Sequence, residues 1–160
     1  MDQPRTRHQR VRQRGSFLLD LPPEEAIKLF TAEGERLWVP DWEPEILGPL
    51  PQVEGLVFLT GKGPQQTIWT VLESNSAAGR MRYSRVTPNS KAGIVAVHVT
   101  SVGQGSNVDV SYDLTSLNDR DEQSLDAFSP SGFASMMEEW RMLIERMLTS
   151  SRPKLGSLAV

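Results

Sequence analysis

The chain has 160 residues, a formal net charge of -3, 38% hydrophobic and 23% charged residues, and no cysteine. A chain of that length suits one domain burying roughly two thirds of its unfolded surface, which supports a core without a disulfide or metal staple. Disulfides, thiolate catalysis and cysteine-zinc sites are excluded; no run reaches the roughly 18 apolar residues of a membrane span, and the basic N-terminus lacks the apolar stretch of a secretory signal, so a soluble cytoplasmic protein is expected.

The start is basic, with Arg5, Arg7, Arg10, Arg12 and Arg14 set against Asp2 alone. A solvated flexible arm is expected over residues 1–10, and because the body lacks a basic face with interleaved aromatics, nucleic acid is not an expected partner. A strand follows at Val11 to Leu21, with Phe17, Leu18, Leu19 and Leu21 as apolar bulk and Gly15 as the place for a bulge. Pro22 and Pro23 stop it. Pro23 with Glu24 and Glu25 makes a favourable first helical turn, since proline needs no amide partner there and acids suit the positive end of the helix. Ala26, Ile27, Leu29 and Phe30 form the apolar side of this short helix, a second covers Glu33 to Trp38, and Pro40, Pro44 and Pro49 then hold off regular structure until Val53.

Strand signals dominate from there: Val53 to Thr60, Gln66 to Glu73, Arg80 to Thr87, Ala92 to Val102 and Asn107 to Ser116, separated by Gly, Pro and Asn turns. Such short connections make the strands antiparallel, because a parallel return needs a crossover of a dozen residues or more. The last strand alternates cleanly, with Val108, Val110, Tyr112 and Leu114 on one face and Asn107, Asp109, Ser111 and Asp113 on the other, the pattern of a sheet with one dry side. Ser129 then caps a helix that begins at Pro130. Phe133, Met136, Met137, Trp140, Leu143, Ile144, Met147 and Leu148 recur at offsets of three, four and seven, which places them on one stripe of that helix, with Glu138, Glu139, Arg141, Glu145 and Arg146 opposite. One domain over residues 11–150 is expected, with a loose tail at 151–160.

These elements make an α+β protein. A curved antiparallel sheet of about six or seven strands, wrapped around a long C-terminal helix with two short helices after the first strand, covers every apolar face just described, and this is the helix-grip fold. The segment Phe30 to Pro44 (FTAEGERLWVPDWEP), Thr67 to Val71 (TIWTV), Tyr112 to Thr115 (YDLT) and the terminal helix resemble the START-like superfamily. That superfamily is also called Bet v 1-like or SRPBCC, the polyketide cyclase/dehydrase and lipid transport family; the likeness is to its small stand-alone bacterial members and covers residues 11 to 150. It implies a cavity between the concave sheet and the long helix, open near the two short helices, that takes a small hydrophobic molecule or lipid. The same resemblance leaves two alternatives: a polyketide cyclase- or hydrolase-like enzyme working on an apolar substrate in that cavity, or a protein-interaction module like the activator domain of the Hsp90 chaperone. A homodimer is left open.

The residues to line such a cavity are Trp42, Trp69, Tyr83, His98, Tyr112, Met136, Met137 and Trp140, with methionines as adaptable fillers and aromatics as stacking faces. If the reaction is catalysed, His98, Tyr83 or Tyr112 would carry the proton transfer, His98 only if its strand turns it inward; should Val95, Val97 and Val99 face the cavity, it points out. Glu33, Glu35, Asp41, Glu43 and Glu45 crowd the region of the mouth, where a carboxylate of raised pKa could serve as acid or base or be a solvated acidic face. Trp38 and Trp42 either gate the opening or anchor the loop, and Tyr83 with Arg85 could hold an anionic group. Two histidines far apart with no cysteine give no metal cluster, and no cofactor fingerprint or Ser-His-Asp set is present.

Overall fold

The computed structural model describes residues 9–118 and 125–151, the last of these by its backbone only. Residues 1–8 of the arm expected at 1–10, and residues 152–160 of the tail expected at 151–160, lie outside the described residues. Seven strands form one sheet in the order β1-β7-β6-β5-β4-β3-β2, with every neighbouring pair antiparallel. They are β1 (Arg10–Leu19), β2 (Glu45–Ile46), β3 (Val57–Thr60), β4 (Thr67–Asn75), β5 (Arg80–Thr87), β6 (Lys91–Val102) and β7 (Gly105–Ser116). Between β1 and β2 come one turn of α-helix, α1 (Pro23–Ala26), a 3-10 turn at Ile27–Phe30 and another at Gly34–Leu37. The last described element is α2 (Pro130–Ser151). This is the helix-grip architecture.

The local causes are the ones the residues suggest. Pro23 occupies the first turn of α1 with Glu24 and Glu25 beside it, and the Ser129 hydroxyl accepts the Gly132 amide at 3.1 Å to cap α2. Val108, Val110, Tyr112 and Leu114 of β7 are buried, as are Phe133, Met137, Ile144 and Met147 of α2. Ile144 is 0% exposed, so its truncation to alanine would cost on the order of 2–5 kcal/mol in lost transfer energy and cavity. On the wet side of α2, Arg141 pairs with both Glu138 and Glu145.

Several details differ from the sequence expectation, among them β2 (Glu45–Ile46), a two-residue strand inside the stretch where Pro40, Pro44 and Pro49 are expected to hold off regular structure. The bulge is not at Gly15, which pairs in register with Val110. A Cβ at Gly15 would lie 2.8 Å from Met137 Cγ and 3.2 Å from Phe133 Cε1, so the glycine lets α2 settle onto β1. The bulge is in β4, where pairing with β5 jumps between Val71 and Glu73. The strand expected from Val53 begins only at Val57, because Gly55, at φ 90, turns the chain between Val53 and Leu56. Finally, β1 begins at Arg10, the last residue of the expected arm, while Arg12 and Arg14 lie in the strand as expected; the side chains of all three stand on its solvent face, Arg10 and Arg12 against Asp113 and Arg14 against Asp109. Their period of two is a strand signal.

Candidate functional site

Strand register builds the site. Phe58 of β3 is directly opposite Trp69 of β4, and Trp69 is opposite Arg85 of β5. Side chains directly across neighbouring strands are close enough to interact, and here they do: the Phe58 and Trp69 rings stack at 5.7 Å and 4°, and the Arg85 guanidinium carbon sits 5.1 Å from the Trp69 ring centroid. The adjacent row runs Val71, Tyr83, Val95 and Tyr112 across β4, β5, β6 and β7. Above both rows, α2 brings down Met136 and Trp140, and the segment after α1 brings Glu35 and Trp42. They enclose a cavity of about 290 Å³.

Nearly half of the lining residues are aromatic, and several of these rings are fixed. Trp42 meets Phe58 and Trp69 edge-on at 6.2 and 5.8 Å, and Trp140 meets Tyr112 at 6.3 Å. The Trp42 indole donates to the Ala32 carbonyl and the Trp38 indole to the Leu29 carbonyl, both at 2.8 Å. Both rings are therefore anchored. Trp38 packs between Phe30 and Trp140 as core, while Trp42 also faces the cavity. Tyr83 is equally committed: its hydroxyl donates to the Phe30 carbonyl at 2.5 Å and accepts from Gln52 Nε2 at 2.9 Å. Gln52 in turn takes the Ala32 amide on its Oε1 at 3.0 Å, which ties the Glu35 segment to the sheet.

Three polar groups remain on the cavity wall. Burial holds the Glu35 carboxyl well above the usual carboxylate range, so it favours the protonated form. Burial also pushes the Tyr112 phenol up to about 12, against the opposing pull of Arg85. Tyr83 is raised further, first by burial and then by the Glu35 charge. Arg85 carries the third group: its Nε is buried with no hydrogen-bond partner. A buried donor left unmade costs on the order of 1–3 kcal/mol, and more when charged.

Of the residues expected to line the cavity, the structure brings together Trp42, Trp69, Tyr83, Tyr112, Met136 and Trp140. Two are elsewhere. His98 is on the opposite, outer face of the sheet beside Arg14, Arg80 and Arg82, because Val95, Val97 and Val99 take the inward positions of β6. Met137 is 4% exposed and meets Gly15 of β1, since one residue of helix turns it away from its neighbour Met136. Glu35 is the member of the acidic group that reaches the cavity; Glu33 pairs instead with Arg36 at 3.2 Å. Among the described residues, no group of three or more His, Asp or Glu side chains is placed to hold a metal, and no helix is long and apolar enough to cross a membrane.

No protein-family model matches the sequence, and no curated protein matches it either. Solved structures share its architecture. A Thermobifida fusca protein known from solution NMR has a TM-score of 0.65 at 16% identity, over 88% of this chain and 95% of that one. Major latex-like protein 151 from Panax ginseng gives 0.64 at 13%, over 86% and 96%. Norcoclaurine synthase from Thalictrum flavum gives 0.61 at 10%, over 86% and 87%. The chain has the START/Bet v 1-like helix-grip fold. At these identities the likeness establishes the fold and leaves the activity to the site itself.

Proposed function

We propose that this protein binds a small, largely apolar molecule between the sheet and α2. The observation that carries the reading is the cavity of about 290 Å³ whose walls are Phe58, Trp69, Trp42, Tyr112 and Trp140. Its volume lies at the low end of the usual range for ligand sites, and is roughly that of ten waters, so a compact ligand fits better than a long acyl chain. Fixed aromatic faces need little reordering on binding, which favours affinity for a flat body. Native mass spectrometry of the purified protein should show a bound mass that leaves on denaturation. Val97→Phe, which fills the cavity, should lose it. No bound mass, together with no response of the cavity residues to small apolar probes, would sink the reading.

A catalytic version rests on Glu35, a carboxyl on the cavity wall whose pKa burial raises. With His98 outside and the Tyr83 hydroxyl already used twice, Glu35 and Tyr112 are the groups left to move a proton. Release of an altered mass by the wild-type protein, with Glu35→Gln retaining the unaltered one, is the expected sign. Identical masses from both would exclude it.

A further inference from the structure

The cavity wall carries one cation, Arg85, whose polar neighbour there is the Tyr112 phenol. Arg85 Nε is buried without a partner, and among the described residues no carboxylate forms an ion pair with this side chain. Its guanidinium lies over the Trp69 ring at 5.1 Å, a contact that a planar arginine head makes well. The arginines of the outer face provide the contrast: Arg10 and Arg14 each make two hydrogen bonds to the carboxylate across from them. Glu35 lines the same cavity and makes no ion pair with Arg85, so it does not supply the missing charge.

Resting on the binding reading above, we infer that the ligand is an aromatic carboxylate, with its carboxylate on the Arg85 guanidinium and its ring against Trp69 and Tyr112. A planar carboxylate matches the planar fork of arginine. The flat body suits the rest of the wall, because Phe58, Trp69 and Trp42 present faces and edges rather than further donors: the Trp42 indole is already bonded to the Ala32 carbonyl, and the Trp69 indole to Thr60 Oγ1 at 2.8 Å.

The test is a titration with naphthalene-2-carboxylate and with its uncharged counterpart, 2-methylnaphthalene, followed through the indole N–H signals of the tryptophans. Trp42, Trp69 and Trp140 line the cavity, and Trp38, held in the core, reports whether a variant is folded. The wild-type protein should bind the carboxylate at least about tenfold more tightly than the methyl compound. Arg85→Met should bring the two affinities together by weakening the carboxylate alone, and Arg85→Lys, which keeps the charge but loses the fork, should fall between. Equal binding of both probes by the wild-type protein would overturn the carboxylate inference and leave the apolar binder standing. If neither probe moves the three cavity indoles, both readings are overturned.

Discussion

Tyr83→Phe separates a structural tyrosine from a catalytic one. The substitution keeps the ring and deletes a hydroxyl that donates to the Phe30 carbonyl at 2.5 Å and accepts from Gln52 Nε2 at 2.9 Å. The Phe30 carbonyl loses this donor within the buried core, whereas the Gln52 amide keeps weaker contacts to Ser74 Oγ at 3.4 Å and Met81 Sδ at 3.5 Å. One stranded acceptor costs about 1–3 kcal/mol and one weakened bond about 0.5–1.5 kcal/mol, so a loss of about 1.5–4.5 kcal/mol is expected. For a domain of this size that lowers Tm by roughly 3–18 °C. Calorimetry measures it, and a double-mutant cycle with Gln52→Leu should return a coupling of at least about 0.5 kcal/mol, since the two groups share one hydrogen bond. Probe affinity should change little. An unchanged Tm with abolished binding or turnover would refute the assignment and return Tyr83 to the functional set.

Both tyrosines of the chain are buried with raised pKa values, that of Tyr112 about 12. Absorbance at the tyrosinate band should therefore stay flat through the ordinary tyrosine range near pH 10 and rise only as the protein unfolds; because the unfolded state ionises first, stability should fall as pH climbs above about 10. A smooth titration of native protein near that pH would contradict the burial argument. Glu35→Gln should raise Tm at neutral pH, since the wild-type carboxyl has a raised pKa and loses stability as pH rises from the ordinary carboxylate range of about 4.3 through its folded value. The gain should vanish in acid melts below that range, and a gain that persists there would point to packing instead. Gly15→Ala puts a methyl 2.8 Å from Met137 Cγ, and overpacking of this kind costs about 1–3 kcal/mol. Met137→Ala in the same chain should recover part of it in urea melts; no recovery would mean that the strain lies in the strand.

The parts of the fold that were legible are those where one residue type repeats at one period. Val108 to Leu114 alternate and are buried on one side; Phe133, Ile144 and Met147 follow the helical repeat and are buried too. The site was legible only where the two faces of an element differ in chemistry. In β6 both parities are apolar, Ile94 and Ala96 against Val95, Val97 and Val99, so alternation leaves the direction of His98 undecided; pairing of Val95 with Tyr112 settles it. On α2 the apolar stripe is wide enough to hold both Met136 and Met137, and only the partners they meet, the cavity and β1, tell them apart. Glu35 stood among five acids with nothing local to single it out. Its distinction comes from Gln52, twenty residues away from Ala32 in sequence, holding that segment over the sheet.

The bulge in β4 carries the same lesson into the chemistry. Thr67, Trp69 and Val71 are buried on the inward side, and unbroken alternation would turn Glu73 inward next, on the side of Tyr83. The extra residue at Leu72 shifts the parity. Glu73 moves to the outer face opposite Arg82, and Ser74 points in, with its Oγ 3.3 Å from Met81 Sδ. An inward Glu73 would have been a second carboxylate near Gln52 and Tyr83, either desolvated and protonated or ready to answer the charge of Arg85. With it turned away, Glu35 is the one acid among the residues lining the cavity, and the Arg85 Nε stays without a carboxylate partner.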